Sequence, residues 1–110
     1  MNRAAVEQRK PMVECAMFDL DALLTTIIPG QTPCLRCLYP VDPPHWNREF
    51  PVFGAVSSMI GSLAAVEVIR LITGIGESLS GQLLCINLQT MVFRERPIPR
   101  DAACRVCREC

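Results

Sequence analysis

Two pairs of cysteines with CxxC spacing set the strongest limit on how this chain can fold. Cys34 and Cys37 lie in TPCLRCLYP, and Cys104 and Cys107 lie in AACRVC near the C-terminus. Each pair can place two thiolates on a tight turn, and four thiolates fill the tetrahedral shell of a zinc ion without leaving an open position. The spacing therefore predicts one structural zinc site with these four residues as its ligands.

The separation of the two pairs indicates what the metal would hold together. The 66 residues between Cys37 and Cys104 far exceed the roughly 15 to 20 residues of a zinc ribbon. A metal bound here would therefore clamp a whole subdomain by joining its early loop to its tail.

A disulfide framework is the alternative explanation for seven cysteines. The N-terminal segment MNRAAVEQRK lacks the apolar region of a secretion signal, so the cytoplasm is the expected location. In that reducing compartment, CxxC pairs bind metal more often than they form disulfides. We therefore favour zinc and predict a cytoplasmic protein.

The three remaining cysteines have weaker claims to a role. Cys15 and Cys85 fall in predicted buried strands, where a thiol is usually an inert small hydrophobe. Cys110 forms a CxxCxxC run with Cys104 and Cys107 and could compete as a ligand, because such a run resembles part of an iron–sulfur pattern. Zinc is still preferred, since the usual fourth ligand and the following proline of that pattern are absent.

The composition describes a core-forming chain with no attraction for polyanions. Half of the 110 residues are hydrophobic and 20% are charged, which is typical of one small globular domain or part of a larger one. Eleven basic residues balance eleven acidic residues, so neither nucleic acid nor an anionic membrane surface is an expected partner. No uninterrupted apolar run reaches the roughly 18 residues of a membrane span.

Two strands are predicted ahead of the first cysteine pair, after a possible helix end at 2–8. MVECAMF at 12–18 is a short apolar run, and ALLTTII at 22–28 is rich in β-branched residues. Both patterns favour strands. The second strand is stopped by Pro29 and Gly30, which are turn-forming residues.

The segment YPVDPPHWNREFP at 39–51 contains four prolines and is predicted to be an extended surface loop. Three interpretations of its His45 and Trp46 stay open. They could be a metal ligand and a substrate platform, or His45 could simply be solvated, as loop residues usually are. In the third interpretation, Trp46 covers a hydrophobic edge or a partner surface.

Residues 54–73 carry the strongest local signal and predict one long helix. Only Glu67 and Arg70 are charged, and Gly74 stands where a left-handed cap is expected. A helix with so few charges should be buried on most sides. Close approach of another element or subunit is allowed by its small residues, namely Ser57, Ser58, Gly61, Ser62, Ala64 and Ala65.

The glycines of GIGESLSGQ, at 74–82, do not indicate a nucleotide site. A dinucleotide fingerprint follows a strand and opens a helix, whereas this segment follows a helix and precedes the strand LLCINL at 83–88. We predict a plain connector. The next segment, MVFRERPI at 91–98, should pair with that strand as an antiparallel hairpin.

Three stretches in order resemble the C-terminal half of the ThiF/MoeB/HesA proteins, bacterial relatives of the ubiquitin-activating enzymes. They are IIPGQTPCLRCLYP, FPVFGAVSSMIGSLAAVEVIRLITGIGESLSGQLL and FRERPIPRDAACRVC. The resemblance implies an ATP- and magnesium-dependent adenylation of the C-terminal glycine of a ubiquitin-like sulfur carrier protein. It also implies a homodimer with a structural zinc on two CxxC pairs, which match Cys34, Cys37, Cys104 and Cys107.

The departures from this family limit what the chain can do alone. The N-terminal Rossmann-like nucleotide half is not in this sequence, apart from Asn2, which matches the very end of that region. No catalytic or cofactor-binding residue is therefore assigned. Phe50 stands where many relatives have a cysteine, which removes support for a thioester or persulfide role. Asn87 and Ala64 replace an aspartate and a glutamine of the family.

The fold class that follows is an α/β one, the C-terminal portion of an activating-enzyme-type fold. A few mixed or antiparallel strands should pack on one long buried helix and be clamped by zinc. The single truncated domain is expected to comprise a helix end and strand pair (1–33), a CxxC and proline-rich loop (34–53), the long helix (54–73), a hairpin (82–96) and a CxxC tail (97–110).

Two functions fit this sequence. The favoured one is an inactive part of an adenylyltransferase, whose ATP-binding half is on another polypeptide or upstream of Met1. The alternative is a stand-alone, non-catalytic zinc-stabilised module for dimerisation or carrier binding. Because the first strand would leave a sheet edge unpaired, we predict a homodimer formed through that edge or through the small-residue face of the long helix.

Overall fold

A computed structural model describes residues 1–42, 44 and 49–108. His45, Trp46 and Cys110 therefore lie outside the described residues. The elements in chain order are α1 (Asn2–Glu7), β1 (Met12–Phe18), β2 (Asp21–Ile27), α2 (Leu35–Leu38), α3 (Gly54–Thr73), β3 (Gln82–Asn87) and β4 (Val92–Pro97).

The four strands form one antiparallel sheet in the order β1-β2-β3-β4. The register places Ala22 opposite Ile86 and Leu24 opposite Leu84, so these side chains share one face of the sheet. The prediction of an α/β fold is confirmed, and of the two predicted kinds of sheet, mixed or antiparallel, the structure has the antiparallel one. The pairing of β2 with β3, which joins the N-terminal strand pair to the C-terminal hairpin, was not predicted.

Helix α3 covers that face of the sheet over β1 and β2. Val56 and Ile60 of the helix pack with Ala22, Leu24 and Ile86, and none of the five is more than 4% exposed. These contacts form the main core, which lies between one helix and one sheet. The molecule is consequently a flat slab measuring 39 × 38 × 22 Å.

The expectation that α3 is buried on most sides is wrong. Of its 20 residues, the buried ones are Val56, Ile60 and Glu67, because the sheet covers one side only. On the outer side, the exposed fractions of Val66, Ile69 and Ile72 are 44%, 55% and 79%. By length and composition α3 could also cross a membrane, as the core helices of soluble proteins often could.

Cys15 and Cys85 are also less buried than predicted. Cys15 is exposed on β1 and Cys85 is half-buried on β3. Their apolar runs suggested strands buried on both faces, but β1 is an edge strand of the described sheet and a single helix layer covers that sheet. A short apolar run does not reveal how many layers cover it.

A buried carboxylate joins α3 to the sheet and to the connector that precedes β3. Glu67 is 2% exposed, and its Oε2 accepts hydrogen bonds from Thr26 Oγ1 and the Leu79 backbone N–H, each at 2.8 Å. Its Oε1 lies 2.8 Å from Arg70 Nη1. Every oxygen of the carboxylate therefore has a partner, which removes most of the cost of burying its charge.

The connector is the plain turn that the sequence predicts. Gly74 adopts the left-handed conformation with φ of 71° and ends α3. Its backbone N–H donates to the Arg70 carbonyl oxygen at 2.8 Å, as a left-handed helix cap should.

We expect Glu67→Gln to lower the free energy of unfolding by about 2 kcal/mol, since it removes a charged acceptor and turns an amide N–H₂ toward Arg70 or the Leu79 N–H. Chemical denaturation monitored by circular dichroism measures the change. The matched control is Glu77→Gln, because the Glu77 side chain is exposed. Equal midpoints for the two variants would show that the buried network contributes no stability.

Candidate metal centre

The four predicted cysteines come together at one end of the sheet. Their Sγ atoms all lie within 4.8 Å of one another. Cys34 and Cys104 are 3.7 Å apart and Cys37 and Cys107 are 3.5 Å apart, measured between sulfurs. A tetrahedral site with bonds of about 2.3 Å places its sulfurs roughly 3.8 Å apart, so the cluster fits a single thiophilic ion.

The same distances argue against the disulfide alternative. A disulfide bond is about 2.05 Å long, which is far shorter than either sulfur contact. Every cysteine in the described part of the chain is a free thiol. The arrangement therefore suits four ligands around a cation.

A tight turn delivers the first cysteine pair from the end of β2. Thr32 Oγ1 accepts the Ile28 backbone N–H at 2.8 Å, and Gly30 supplies the left-handed conformation with φ of 85°. Cys34 then caps the N-terminus of α2, and the Cys37 N–H donates to the Cys34 carbonyl oxygen at 2.9 Å. This knuckle turns both thiols toward the same side.

A second set of turns delivers the other pair from the tail. Asp101 Oδ1 accepts the Ala103 N–H at 2.8 Å, and the Asp101 carbonyl accepts the Cys104 N–H at 3.1 Å. Arg100 Nη2 donates to the Cys107 carbonyl at 3.0 Å. Local hydrogen bonds within the protein thus shape both knuckles without a metal.

The cysteine cluster belongs to a second, smaller core. Cys34 and Cys104 are each 2% exposed and Cys107 is 1% exposed. Val6 of α1 and Ile27 of β2 pack against them. Cys37 is half-buried. Four sulfurs can fill a coordination shell, and they leave no position for a reacting water.

The pKa values of Cys37, Cys104 and Cys107 are shifted in different directions. Burial raises the pKa of Cys104, but backbone hydrogen bonds from Val106 and Cys107, helped by the neighbouring thiols, outweigh it and bring that pKa to about 7. Burial raises the pKa of Cys37, and burial together with the Cys37 side chain raises that of Cys107. A bound cation would supply the charge that lets all four lose their protons.

The other residues singled out in the sequence lie elsewhere. Phe50 stacks on Phe18 with ring centroids 6.3 Å apart. Asn87 Nδ2 donates to Asp21 Oδ1 at 2.8 Å, and Ala64 packs against the main core. Within residues 1–42, 44 and 49–108, the cysteine cluster is the only group of three or more His, Cys, Asp or Glu residues close enough to share a metal.

Asn2 is a contributor to the site that sequence reasoning missed. Its Nδ2 lies 3.6 Å from Cys34 Sγ, and its Oδ1 accepts the Leu35 backbone N–H at 3.1 Å. The sequence matched Asn2 to the end of the family's nucleotide-binding half but predicted no part for it in the metal site. No local pattern could have found this contact, because 32 residues separate Asn2 from Cys34.

The same fold occurs in a protein of known structure, E. coli MccB. The crystal structure of E. coli MccB with MccA-N7isoASN superimposes with a TM-score of 0.80 at 21% sequence identity. The match covers 96% of this chain and 36% of that chain. At this identity the likeness concerns the fold, including the sheet and the long helix.

The family follows from the sequence match. Residues 1–106 match the ThiF family, and the chain belongs to it, so the resemblance noted above is confirmed. HesA (heterocyst) of Trichormus variabilis is 52% identical over 108 residues, covering 97% of this chain and 40% of HesA. The adenylyltransferase and sulfurtransferase MOCS3-1 of Drosophila pseudoobscura pseudoobscura is 39% identical over 112 residues, covering 97% of this chain and 25% of MOCS3-1. The chain thus spans well under half the length of these relatives.

Proposed function

We propose that this chain is the zinc-stabilised C-terminal part of a ThiF-family adenylyltransferase. The complete enzyme would use ATP and magnesium to adenylate the C-terminus of a ubiquitin-like sulfur carrier protein in the cytoplasm. Family membership supports the general activity, as does the adenylyltransferase named among the relatives. The zinc would sit on Cys34, Cys37, Cys104 and Cys107 in a purely structural role.

The outer edge of β1 is the observation that carries this proposal. In the part of the chain that the structure describes, β1 pairs with β2 and with no other strand. An isolated bridge joins Asp19, just after β1, to Val52. Its sequence, MVECAMF, has Glu14 as its only charge. Natural edge strands usually carry charges or proline to prevent further pairing, so β1 is built as an interior strand and calls for another strand beside it.

The exposed surface supports the same conclusion. The chain exposes 7749 Å², whereas a compact monomer of this length is expected to expose about 6,100 Å². Part of the excess is the outer side of α3, including Val66, Ile69 and Ile72. An additional layer or subunit on this side of the slab would remove that apolar surface from water.

The chemistry of the described residues supports the proposal that catalysis belongs to a nucleotide-binding half. Adenylation requires positioned cations and magnesium that neutralise charge on the transferring group. The cysteine cluster is a closed site and cannot bind substrate, and Phe50 offers no nucleophile. We propose that this chain contributes the metal clamp and a sheet platform, and that a separate or preceding nucleotide-binding unit performs the reaction.

A second candidate is a stand-alone, non-catalytic module for dimerisation or carrier binding, stabilised by zinc. The apolar outer side of α3 favours it, since that surface would suit a partner protein directly. In either case we propose a homodimer. The two candidates differ in whether the chain needs a nucleotide-binding partner.

Protein purified without added zinc is expected to contain one zinc ion per chain by elemental analysis. Cys34→Ser should lose the zinc, because three thiolates do not complete the four-ligand shell of a structural site. Without the metal, the variant should unfold at a lower temperature. Cys15→Ser is the control, since Cys15 is an exposed free thiol. Folded wild-type protein with little or no zinc would contradict the metal assignment.

The purified chain, mixed with a sulfur carrier, ATP and magnesium, is expected to show no ATP–pyrophosphate exchange above background. Co-expression with the N-terminal part of a HesA protein should restore exchange. ATP–pyrophosphate exchange by the chain alone would overturn the proposal that a separate or preceding unit performs the reaction. A folded, co-purified complex that remained inactive would favour the stand-alone module.

Light scattering is expected to report a dimer at micromolar concentrations. Ile72→Lys should shift the population toward monomer if α3 forms the contact, because Ile72 is 79% exposed and its replacement should not affect folding. Gln89→Lys, in an exposed turn, adds the same charge elsewhere as a control. A wild-type monomer over this concentration range would rule out the dimer.

A further inference from the structure

We propose that Asn2 is a positioning residue of the metal centre. Its carboxamide holds the Cys34 sulfur with one end and locks the first CxxC knuckle with the other. This inference rests on the proposed metal site and adds to it a residue that lies on α1, outside both cysteine pairs. The role is to orient and stabilise a ligand, not to bind the metal.

The orientation of the carboxamide is fixed by its surroundings. The Leu35 backbone N–H needs an acceptor and points at Asn2 Oδ1 from 3.1 Å. The N–H₂ group must then face Cys34 Sγ, which is 3.6 Å away. The reverse orientation would set two donors against each other and leave the sulfur beside an oxygen, so only one assignment satisfies both contacts.

The knuckle needs help from outside because of how it is built. Cys34 is the N-cap residue of α2, and its side chain makes no capping hydrogen bond, since its sulfur faces the cluster. The first N–H groups of a helix lack partners inside the helix. Asn2 supplies the missing acceptor from another element, which frees the cysteine to act as a ligand.

The contact to sulfur carries a second effect. Cys34 is 2% exposed, so water cannot hydrogen-bond its thiolate. A donor N–H partly neutralises the charge on the sulfur and fixes its direction, which is how outer-shell groups tune metal ligands. An amide is suited to both tasks, because aspartate has no donor and leucine has neither donor nor acceptor.

One consequence is that α1 is coupled to the metal. Val6 of the same helix is 3% exposed and packs in the cysteine core. Metal binding should therefore hold α1 in place together with the early loop and the tail. Loss of α1 contacts should in turn speed metal release.

The test compares Asn2→Asp and Asn2→Leu with wild type in the 110-residue chain. Zinc affinity and release are measured by competition with a chromogenic chelator. We expect affinity to fall about 10-fold to 100-fold in both variants, and Asn2→Asp to be no better than Asn2→Leu. Aspartate keeps the acceptor for Leu35 but places a negative oxygen against the thiolate. Arg3→Gln, on the exposed side of α1, is the control and should match wild type.

A spectroscopic measurement distinguishes the two roles of Asn2. One is donation to the Cys34 sulfur, and the other is acceptance of the Leu35 backbone N–H. In cobalt-substituted protein, loss of the N–H donor should move the thiolate-to-metal charge-transfer band to longer wavelength, while the visible bands of a tetrahedral ion persist. If Asn2→Asp keeps wild-type affinity and an unshifted band, the sulfur contact has no role and the inference is overturned. If wild type binds neither zinc nor cobalt, the metal centre itself fails, which is a distinguishable result.

Discussion

The convergence of four cysteine sulfurs is the contact that holds α1, the knuckle of α2 and the tail in place. The main core between α3 and the sheet involves β1, β2 and β3, but it does not reach α1, the knuckle of α2 or the tail. Those segments are held around Cys34, Cys104 and Cys107 instead. A metal bound by these cysteines would cross-link residues 70 positions apart and would remove chain entropy from the unfolded state, on the order of 4 kcal/mol if it behaves as a disulfide does.

The hydrogen-bond network of Glu67 and the cysteine cluster therefore add to the stability supplied by two small apolar cores. At one end of the sheet, Glu67 binds α3 to β2 and to the connector that precedes β3. Near the same end of the sheet, the cysteine cluster packs against Ile27 of β2 and joins the early loop to the tail. Neither the Glu67 network nor the cysteine cluster offers an open site for chemistry. The carboxylate oxygens of Glu67 already have hydrogen-bond partners, and the four sulfurs face one another. The chain is thus organised to keep a sheet rigid and to present an edge and a helix face.

Much of this organisation could be predicted from local patterns, and the remainder depends on contacts between distant residues. The CxxC spacing predicted the cluster, because two such pairs are typical of metal sites. The cap at Gly74 marked the end of α3. The burial of α3 and Cys15 was overestimated, because apolar runs do not show how many layers cover them. The role of Asn2 depends on a contact across the fold, which no local pattern contains.

The distance between the two cysteine pairs also orders events during synthesis of the protein. Cys34 and Cys37 leave the ribosome long before Cys104 and Cys107 exist, since 70 residues separate their partners. An early thiol pair could hold a metal only with incomplete coordination. The closed site can form only once α3, β3 and β4 have been made. Metal capture would then act as a checkpoint that a nascent chain passes after its sheet is complete.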